Sequence, residues 1–189
     1  LATAGQHCGA CLRKPPSFDG VEAPWRFRFP IDSLITRFKH QARWPYGRIL
    51  AELMVEHLQH AYAQELPRPD LLLPVPLASL RLRQRGFNQA GMLADWLSQA
   101  LDLPVEHRWL LRPLDTTAQQ QLDAVSRKQN LRSAFSLAST AQIMNLHIAV
   151  IDDVLTTGAT AEAIARLLRK AGASRIDIYC LARTPKPGD

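Results

Sequence analysis

Val150-Ile-Asp-Asp-Val-Leu-Thr-Thr-Gly-Ala-Thr160 is the stretch of this 189-residue sequence that decides the fold. The run His147–Ile151, which leads into the two acids, is short, apolar and rich in β-branched residues, as is typical of a parallel strand covered on both faces. Apolar spacing after Thr160 predicts a helix to about Ala171, and Ile176–Leu181 is predicted as the next strand. Strand, helix and strand in this order form a βαβ unit, so we expect an α/β domain with a mostly parallel central sheet flanked by helices.

The side chains of the same stretch indicate what the sheet binds. Asp152 and Asp153 stand where the strand is predicted to end, and open α/β sheets bind ligands at the carboxyl ends of their strands. Two adjacent carboxylates repel each other unless they meet hydroxyls or a divalent cation. Gly158 allows close backbone approach, and the free N–H groups of a helix start favour a phosphate. Acids beside a phosphate-binding turn predict a sugar phosphate as the ligand.

This stretch has two other interpretations. Taken singly, Asp153 is also suited to begin a turn and Thr160 to cap the following helix, but eleven residues in this order favour a ligand site. An apolar strand ending in acids also resembles the acidic motif of P-loop ATPases. The chain contains no Gly-x4-Gly-Lys-Ser/Thr and no Gly-x-Gly-x-x-Gly, which argues against nucleotide binding of either kind.

The composition is that of a globular protein with an anionic partner. Hydrophobic residues make up 47% of the chain, and 23 Lys and Arg against 17 Asp and Glu give a net charge of +6. Nucleic acid and a small phosphorylated metabolite both fit such a charge, and so does a merely solvated basic surface. No apolar run approaches the roughly 18 residues that span a bilayer, so we predict no membrane span and a cytoplasmic protein.

Residues 1–30 are predicted to form an irregular N-terminal arm, because prolines interrupt them repeatedly, and residues 31–189 the domain itself. Cys8-Gly-Ala-Cys11 has the spacing of half a tetrahedral zinc site, with no second pair in the chain. Cys180 lies in an apolar run and is expected to be a buried thiol. Three cysteines are too few for a disulfide framework, which favours a reducing compartment.

The remaining elements follow from apolar spacing and from helix-breaking residues. They are a short helix from Asp32 or Ser33 to His40, helices over Tyr46–Gln64 and about Asn88–Ala100, strands over Leu71–Pro76 and Val105–Leu111, and a polar loop over Arg112–Arg132. The segment after Pro76 is predicted to be a loop that carries Arg81, Arg83 and Arg85. These arginines suit a pyrophosphate or a solvated surface; we favour binding for Arg85 and leave Arg81 and Arg83 open.

The quoted stretch is similar to the phosphoribosyl pyrophosphate (PRPP) fingerprint of type I phosphoribosyltransferases. More of the chain resembles one branch, the ComF family of competence and DNA-utilisation proteins. The stretches that carry this resemblance are Phe38-Lys-His40, Tyr46-Gly-Arg48, Pro74-Val-Pro-Leu77, Arg85-Gly-Phe-Asn-Gln89 and Thr116 to Phe135. Together they run from about residue 31 to residue 185.

The resemblance implies a type I phosphoribosyltransferase fold and a role for each matching position. Asp152 and Asp153, as catalytic residues, would contact the ribose 2′ and 3′ hydroxyls directly or through Mg²⁺. The 5′-phosphate would be wrapped by Thr156, Thr157, Gly158, Ala159 and Thr160. The leaving pyrophosphate would lie against the loop that contains Pro76, with Arg85 and Arg127 as its cationic partners.

The resemblance implies two possible functions. The first is transfer of the phosphoribosyl group to a nucleobase or related amine with release of pyrophosphate, linked to DNA uptake or utilisation. The alternative is a non-catalytic PRPP-binding accessory protein that binds single-stranded DNA and works with DNA-uptake proteins. Family members usually begin with cysteine pairs of a zinc ribbon; Cys8 and Cys11 resemble its last pair, so the arm would be a remnant of that region and Zn²⁺ would belong to the full-length protein.

Overall fold

The computed structural model of the chain describes residues 15–113 and 134–184. Its elements in chain order are β1 (Gly20–Glu22), β2 (Trp25–Arg26), α1 (Ile31–Gln41), α2 (Trp44–Ala63), β3 (Leu71–Pro74), α3 (Ser79–Arg85), α4 (Gln89–Leu101), β4 (Leu110–Leu111), β5 (Ser136–Leu137), β6 (His147–Leu155), α5 (Ala159–Lys170) and β7 (Arg175–Arg183). No helix in these two segments is both long and apolar enough to cross a membrane.

The central sheet is parallel throughout, in the order β1-β7-β6-β3, with β2 also pairing with β7. Leu73 of β3 and Ile178 of β7 flank Val150 of β6 in register. The apolar runs of β6 and β7 are buried on both faces, because helices cover the sheet on each side. The expected βαβ unit is confirmed: β6, α5 and β7 follow one another as predicted.

Two apolar layers enclose the sheet. On one face α1, α2 and α4 pack against Ala149 and Ile151 of β6. On the other face α5 packs against Ile148 and Val150, as the alternation of side chains along a strand requires. The helices α1 and α2 approach so closely that a Cβ at Gly47 would lie 2.6 Å from the Phe38 ring.

Two predicted elements differ from the structure: the loop after Pro76 and the strand over Val105–Leu111. In both segments the local sequence signal for the observed structure is weak. The segment after Pro76 is not all loop, because Ser79–Arg85 form α3, which ends at Gly86 in the left-handed conformation with φ +82°. The prediction of one strand over Val105–Leu111 is also wrong. Val105 forms only an isolated bridge with Leu72, and Leu110–Leu111 pair with β5 in a separate two-stranded antiparallel sheet.

The N-terminal arm is less irregular than predicted. Gly20–Glu22 and Trp25–Arg26 are strands that lie parallel to β7 and extend the central sheet. They form because β7 has an open edge whose backbone groups need partners. The arm therefore joins the sheet from residue 20, whereas the division of the chain into two domains at residue 30 stays a prediction.

Candidate functional site

The ends of two neighbouring parallel strands form the site. Asp152 and Asp153 lie inside β6, which continues to Leu155 rather than ending at Ile151. The N–H of Val75 donates to the Ile151 carbonyl at 2.9 Å, and the Asn88 side-chain amide donates to the Val75 carbonyl at 3.1 Å. These bonds fix the β3–α3 connection, with Pro76 in it, at the same edge of the sheet as the two acids.

Asp153 is buried and has its own cation. Its side chain is 4% exposed, and its Oδ2 lies 2.6 Å from Nζ of Lys39, which projects from α1. Its Oδ1 accepts the backbone N–H of Val154 at 3.0 Å. The interpretation of Asp153 as the start of a turn is excluded, since the residue lies within a strand. Sequence reasoning placed Lys39 in the stretch Phe38-Lys-His40 but assigned it no role in the site, because nothing local indicates that α1 crosses the end of β6.

The charged form of the Asp152 side chain is less well stabilised than that of a solvent-exposed carboxylate. Its Oδ1 accepts the backbone N–H of Asp153 at 2.8 Å. Burial, and then the negative charge of Asp153, raise the pKa of Asp152 to about 8, while Lys39 opposes that shift. An acid in this state is protonated at neutral pH and ionises when a cation or a hydroxyl-bearing ligand stabilises its charge.

Cys180 lies next to Asp152 in the β6–β7 register and is fully buried, as predicted. Burial raises the pKa of its thiol, so it remains a neutral packing group. It contributes to the low-dielectric surroundings of the acid pair rather than to chemistry.

The turn between β6 and α5 is open. Thr156 and Thr157 are exposed, and Gly158 has φ +76° with no atom within 4 Å of a built Cβ. The hydroxyl of Thr157 accepts the N–H of Ala159 at 3.3 Å. Gly158 occupies the N-cap of α5 without a side-chain cap, so Thr160 is not the cap residue. The start of this 12-residue helix is therefore not closed by a side chain at its N-cap, which leaves room for an anion beside Gly158.

A polar cleft contains Lys39, the ion-pair partner of Asp153. It measures about 610 Å³ and is lined by Lys39, His40, Gln41, Ala42, Arg81, Gln84, Arg85 and Phe87. The Arg85 guanidinium donates to the Gln89 side chain. Burial lowers the pKa of Arg85, and the negative charge of Asp153 opposes that shift. Arg83 lies on α3 between Arg81 and Arg85, but it does not line the cleft.

Several predicted site residues lie outside the described segments. Arg127, Cys8 and Cys11 are among them, so the role of Arg127 with pyrophosphate and the half zinc site stay predictions. In the described parts of the chain, no three His, Cys, Asp or Glu side chains group closely enough to hold a metal ion by themselves. The pair Asp152 and Asp153 nevertheless suits Mg²⁺, which prefers oxygen ligands and is commonly held by one or two carboxylates together with water and phosphate oxygens.

Comparison with known proteins identifies relatives over nearly the whole chain. The phosphoribosyl transferase domain family matches residues 90–188. Competence protein F of Haemophilus influenzae is 40% identical over 180 residues, which are 94% of this chain and 79% of that protein. DNA utilization protein YhgH of Salmonella typhi is 36% identical over 178 residues, 94% of this chain and 78% of that protein. A hypoxanthine phosphoribosyltransferase structure from Staphylococcus aureus aligns with 73% of this chain and 65% of that one, at 15% identity and a TM-score of 0.46.

Proposed function

The chain belongs to the phosphoribosyl transferase domain family, in the branch of competence protein F and the DNA utilization proteins, and from this premise we propose that it binds PRPP and transfers its phosphoribosyl group to a nucleobase or related amine. The observation that carries the proposal is the placement of Asp152 and Asp153 directly before the open turn at Gly158. The acids take the ribose hydroxyls, and the turn takes the 5′-phosphate.

The 5′-phosphate site rests on the start of α5. The N-cap of α5, Gly158, carries no side-chain cap, and the positive end of the helix dipole favours a phosphate there. The hydroxyls of Thr156, Thr157 and Thr160 add donors around it. Because Gly158 has a positive φ and open space on its Cβ side, phosphate oxygens can approach the backbone closely.

The ribose hydroxyls meet two acids in different surroundings. Asp153 is paired with Lys39, which already holds its side chain in place. Asp152, whose raised pKa keeps it protonated at neutral pH, loses its proton when the ligand arrives with a cation. When Mg²⁺ is bound with PRPP, it supplies charge neutralisation for the pyrophosphate. Binding is therefore expected to release a proton.

The transfer exchanges one bond at C1′ for another. The C1′–oxygen bond breaks, and its electron pair leaves with the pyrophosphate. A nitrogen lone pair of the acceptor forms the new C1′–nitrogen bond, and the acceptor loses a proton. Pro76 and Arg85 lie on the β3–α3 side of the acid pair, and we assign the departing pyrophosphate to that side, with Arg127 as a further cation.

The test is calorimetry of PRPP with Mg²⁺, followed by a pyrophosphate-release assay with a panel of nucleobases and amines. Asp152→Asn is expected to weaken PRPP binding by about tenfold to a hundredfold, because it removes a charge-assisted hydrogen bond. The matched control is Asp95→Asn on the exposed face of α4, where binding should stay unchanged. Equal PRPP affinity in native protein and Asp152→Asn would overturn the assigned role.

A second candidate function is supported by the surface at the α1–α2 junction. Trp44 is 53% exposed there, with Arg37 and Arg43 also exposed nearby in sequence. An exposed aromatic ring beside basic residues suits base stacking by single-stranded nucleic acid. In this alternative the protein is a PRPP-binding accessory factor without transfer activity.

Fluorescence titration with an oligothymidylate separates the two functions. Salt-dependent binding that is lost in Trp44→Ala but kept in Ile49→Ala, an equally exposed apolar position on α2, would support nucleic-acid binding. PRPP binding without pyrophosphate release from any acceptor would then favour the accessory role. The names of the relatives, competence protein F and DNA utilization protein, support a role in competence or DNA utilisation. A cytoplasmic location and DNA-uptake proteins as partners belong to the same proposal.

A further inference from the structure

Residues 17–19, which we call the strap, fasten the N-terminal part of the chain to α5. The backbone N–H of Ser17 donates to Oε2 of Glu162 at 2.9 Å, and its hydroxyl donates to Oε1 at 3.0 Å. At the other end of the strap, Asp19 forms an ion pair with Arg169 in the last turn of the helix. Because these two helix residues are two turns apart, the strap runs along one side of α5.

The far end of the strap is fixed to the central sheet. The N–H of Asp19 donates to the Ile176 carbonyl at 2.7 Å, and the N–H of Ile176 donates to Oδ2 of Asp19 at 2.7 Å. The chain then continues directly into β1, which pairs with β7. Between the two ends, Phe18 packs against the apolar layer that contains Ile164 and Leu168 of α5. The strap therefore links the edge of the sheet to the first turn of the helix.

Glu162, the residue that holds the strap, is joined to the proposed 5′-phosphate turn. It lies in the first turn of α5, and its backbone N–H donates to the carbonyl of Gly158 at 2.8 Å. This bond closes the first helical ring, so a displacement of Glu162 moves Gly158 with it. Ser17 is thus connected to the phosphate turn through a single residue.

The negative charge of Glu162 is unfavourable to an anion at the start of α5. Burial alone raises the pKa of this carboxyl, but hydrogen bonds from Ser17 and Arg166 outweigh it and hold the pKa below its ordinary value of 4.5. The group is therefore ionised at neutral pH. The helix dipole favours an acid in a first turn, which accounts for the residue type but not for its two bonds to Ser17. Those bonds indicate a role in placing the turn.

We propose that Ser17 and Glu162 are positioning residues for the 5′-phosphate: their contact holds the first turn of α5 in the arrangement that binds the phosphate, and the bound phosphate in turn stabilises the strap. This rests on the proposed function, since it takes the phosphate to lie at the start of α5. Coupling of this kind is reciprocal, so the strap and the ligand change each other's equilibrium by the same factor.

The experiment uses the full chain, with ribose 5-phosphate and then PRPP with Mg²⁺ as probes in calorimetry. Glu162→Ala removes every side-chain contact to the strap, and Ser17→Ala removes only the hydroxyl bond. The matched control is Glu52→Ala on α2, because Glu52 pairs with Arg48 at 2.9 Å four residues away, as Glu162 pairs with Arg166 at 2.7 Å. Hydrogen exchange of the Ser17 amide, followed by NMR with and without ribose 5-phosphate, is the second readout.

Glu162→Ala is expected to weaken ribose 5-phosphate binding by about fivefold or more, and Ser17→Ala by a smaller factor. Glu52→Ala should bind as native does. In native protein the ligand should slow exchange of the Ser17 amide by a factor comparable to the loss in Glu162→Ala. The sign is decisive, because removing a negative charge near an anion site strengthens binding if charge alone matters.

Equal or tighter binding in Glu162→Ala, an equal loss in Glu52→Ala, or exchange at Ser17 that the ligand leaves unchanged would overturn the inference while the proposed function stands. If Glu162→Ala does not fold, Ser17→Ala and the exchange of the native Ser17 amide decide in its place. If native protein binds neither ribose 5-phosphate nor PRPP, the proposed function fails and the inference fails with it.

Discussion

Replacing Lys39 with methionine should destabilise the protein more than replacing the acid to which it is bound. Nζ of Lys39 lies 2.6 Å from Oδ2 of Asp153, and the two side chains are 28% and 4% exposed. Lys39→Met leaves a buried carboxylate without its cation. Asp153→Asn leaves a lysine that can turn towards water, and it also removes the repulsion with Asp152.

The magnitude follows from the burial of each partner. Breaking a fully buried ion pair from one side costs about 3–5 kcal/mol, and the partial exposure of Lys39 reduces this to about 2–4 kcal/mol. For Asp153→Asn we expect about 1–2 kcal/mol, because the remaining charge can be solvated. In a chain of this length the loss in Lys39→Met corresponds to a fall in Tm of roughly 4–16 °C.

Urea denaturation of the native protein, the two single variants and the double variant measures these differences. Lys170→Met, at an exposed position on α5, is the matched control and should stay within about 0.5 kcal/mol of native. The double variant should be more stable than Lys39→Met alone, because it no longer contains the uncompensated charge. Lys39→Met behaving like Lys170→Met, or Asp153→Asn being the more damaging change, would refute the reasoning.

Three further predictions concern packing and pH. Gly47→Ala should lower the free energy of unfolding by about 1–3 kcal/mol, since its Cβ would lie 2.6 Å from the Phe38 ring; thermal unfolding that matches native would contradict this. Hydrogen bonds from His147 and Arg175 outweigh burial and hold the pKa of Asp177 below its ordinary value of 3.8, so its stabilisation is present above pH 4 and lost as pH falls through the lowered pKa. Acid titration of Asp177→Asn should show a smaller loss over that range than native. Affinity for PRPP with Mg²⁺ should rise from pH 6 to pH 9 as Asp152 ionises more easily, and calorimetry in buffers of different ionisation enthalpy should detect proton release; a flat profile would contradict the raised pKa of Asp152.

The sequence predicted the part of the fold whose signals are local. The order β6, α5, β7 was predictable because apolar β-branched runs flank a helix of clear periodicity, and Gly172, with φ +92°, follows its end. The helix at Gln89–Leu101 was predictable in the same way, since Asn88 caps it by accepting the N–H of Ala90 at 3.2 Å.

What the sequence missed depends on contacts between distant segments. The two N-terminal strands have three and two residues, and they exist only because β7 offers an edge. The ion pair between Lys39 and Asp153 joins residues more than a hundred positions apart, so no local pattern announces it. The helix α3 was mistaken for loop because Pro74 and Pro76 precede it and its arginines suggested a solvated turn.

The most direct test of the central claim is NMR mapping of the backbone amides as PRPP with Mg²⁺ is added to the full chain. If the acids hold the pentose and the turn holds the phosphate, the largest shifts fall on the amides of residues 152–160, and ribose 5-phosphate alone reproduces those of residues 157–160. If PRPP binds while those amides stay unmoved, the sugar phosphate lies elsewhere and the site described here is wrong.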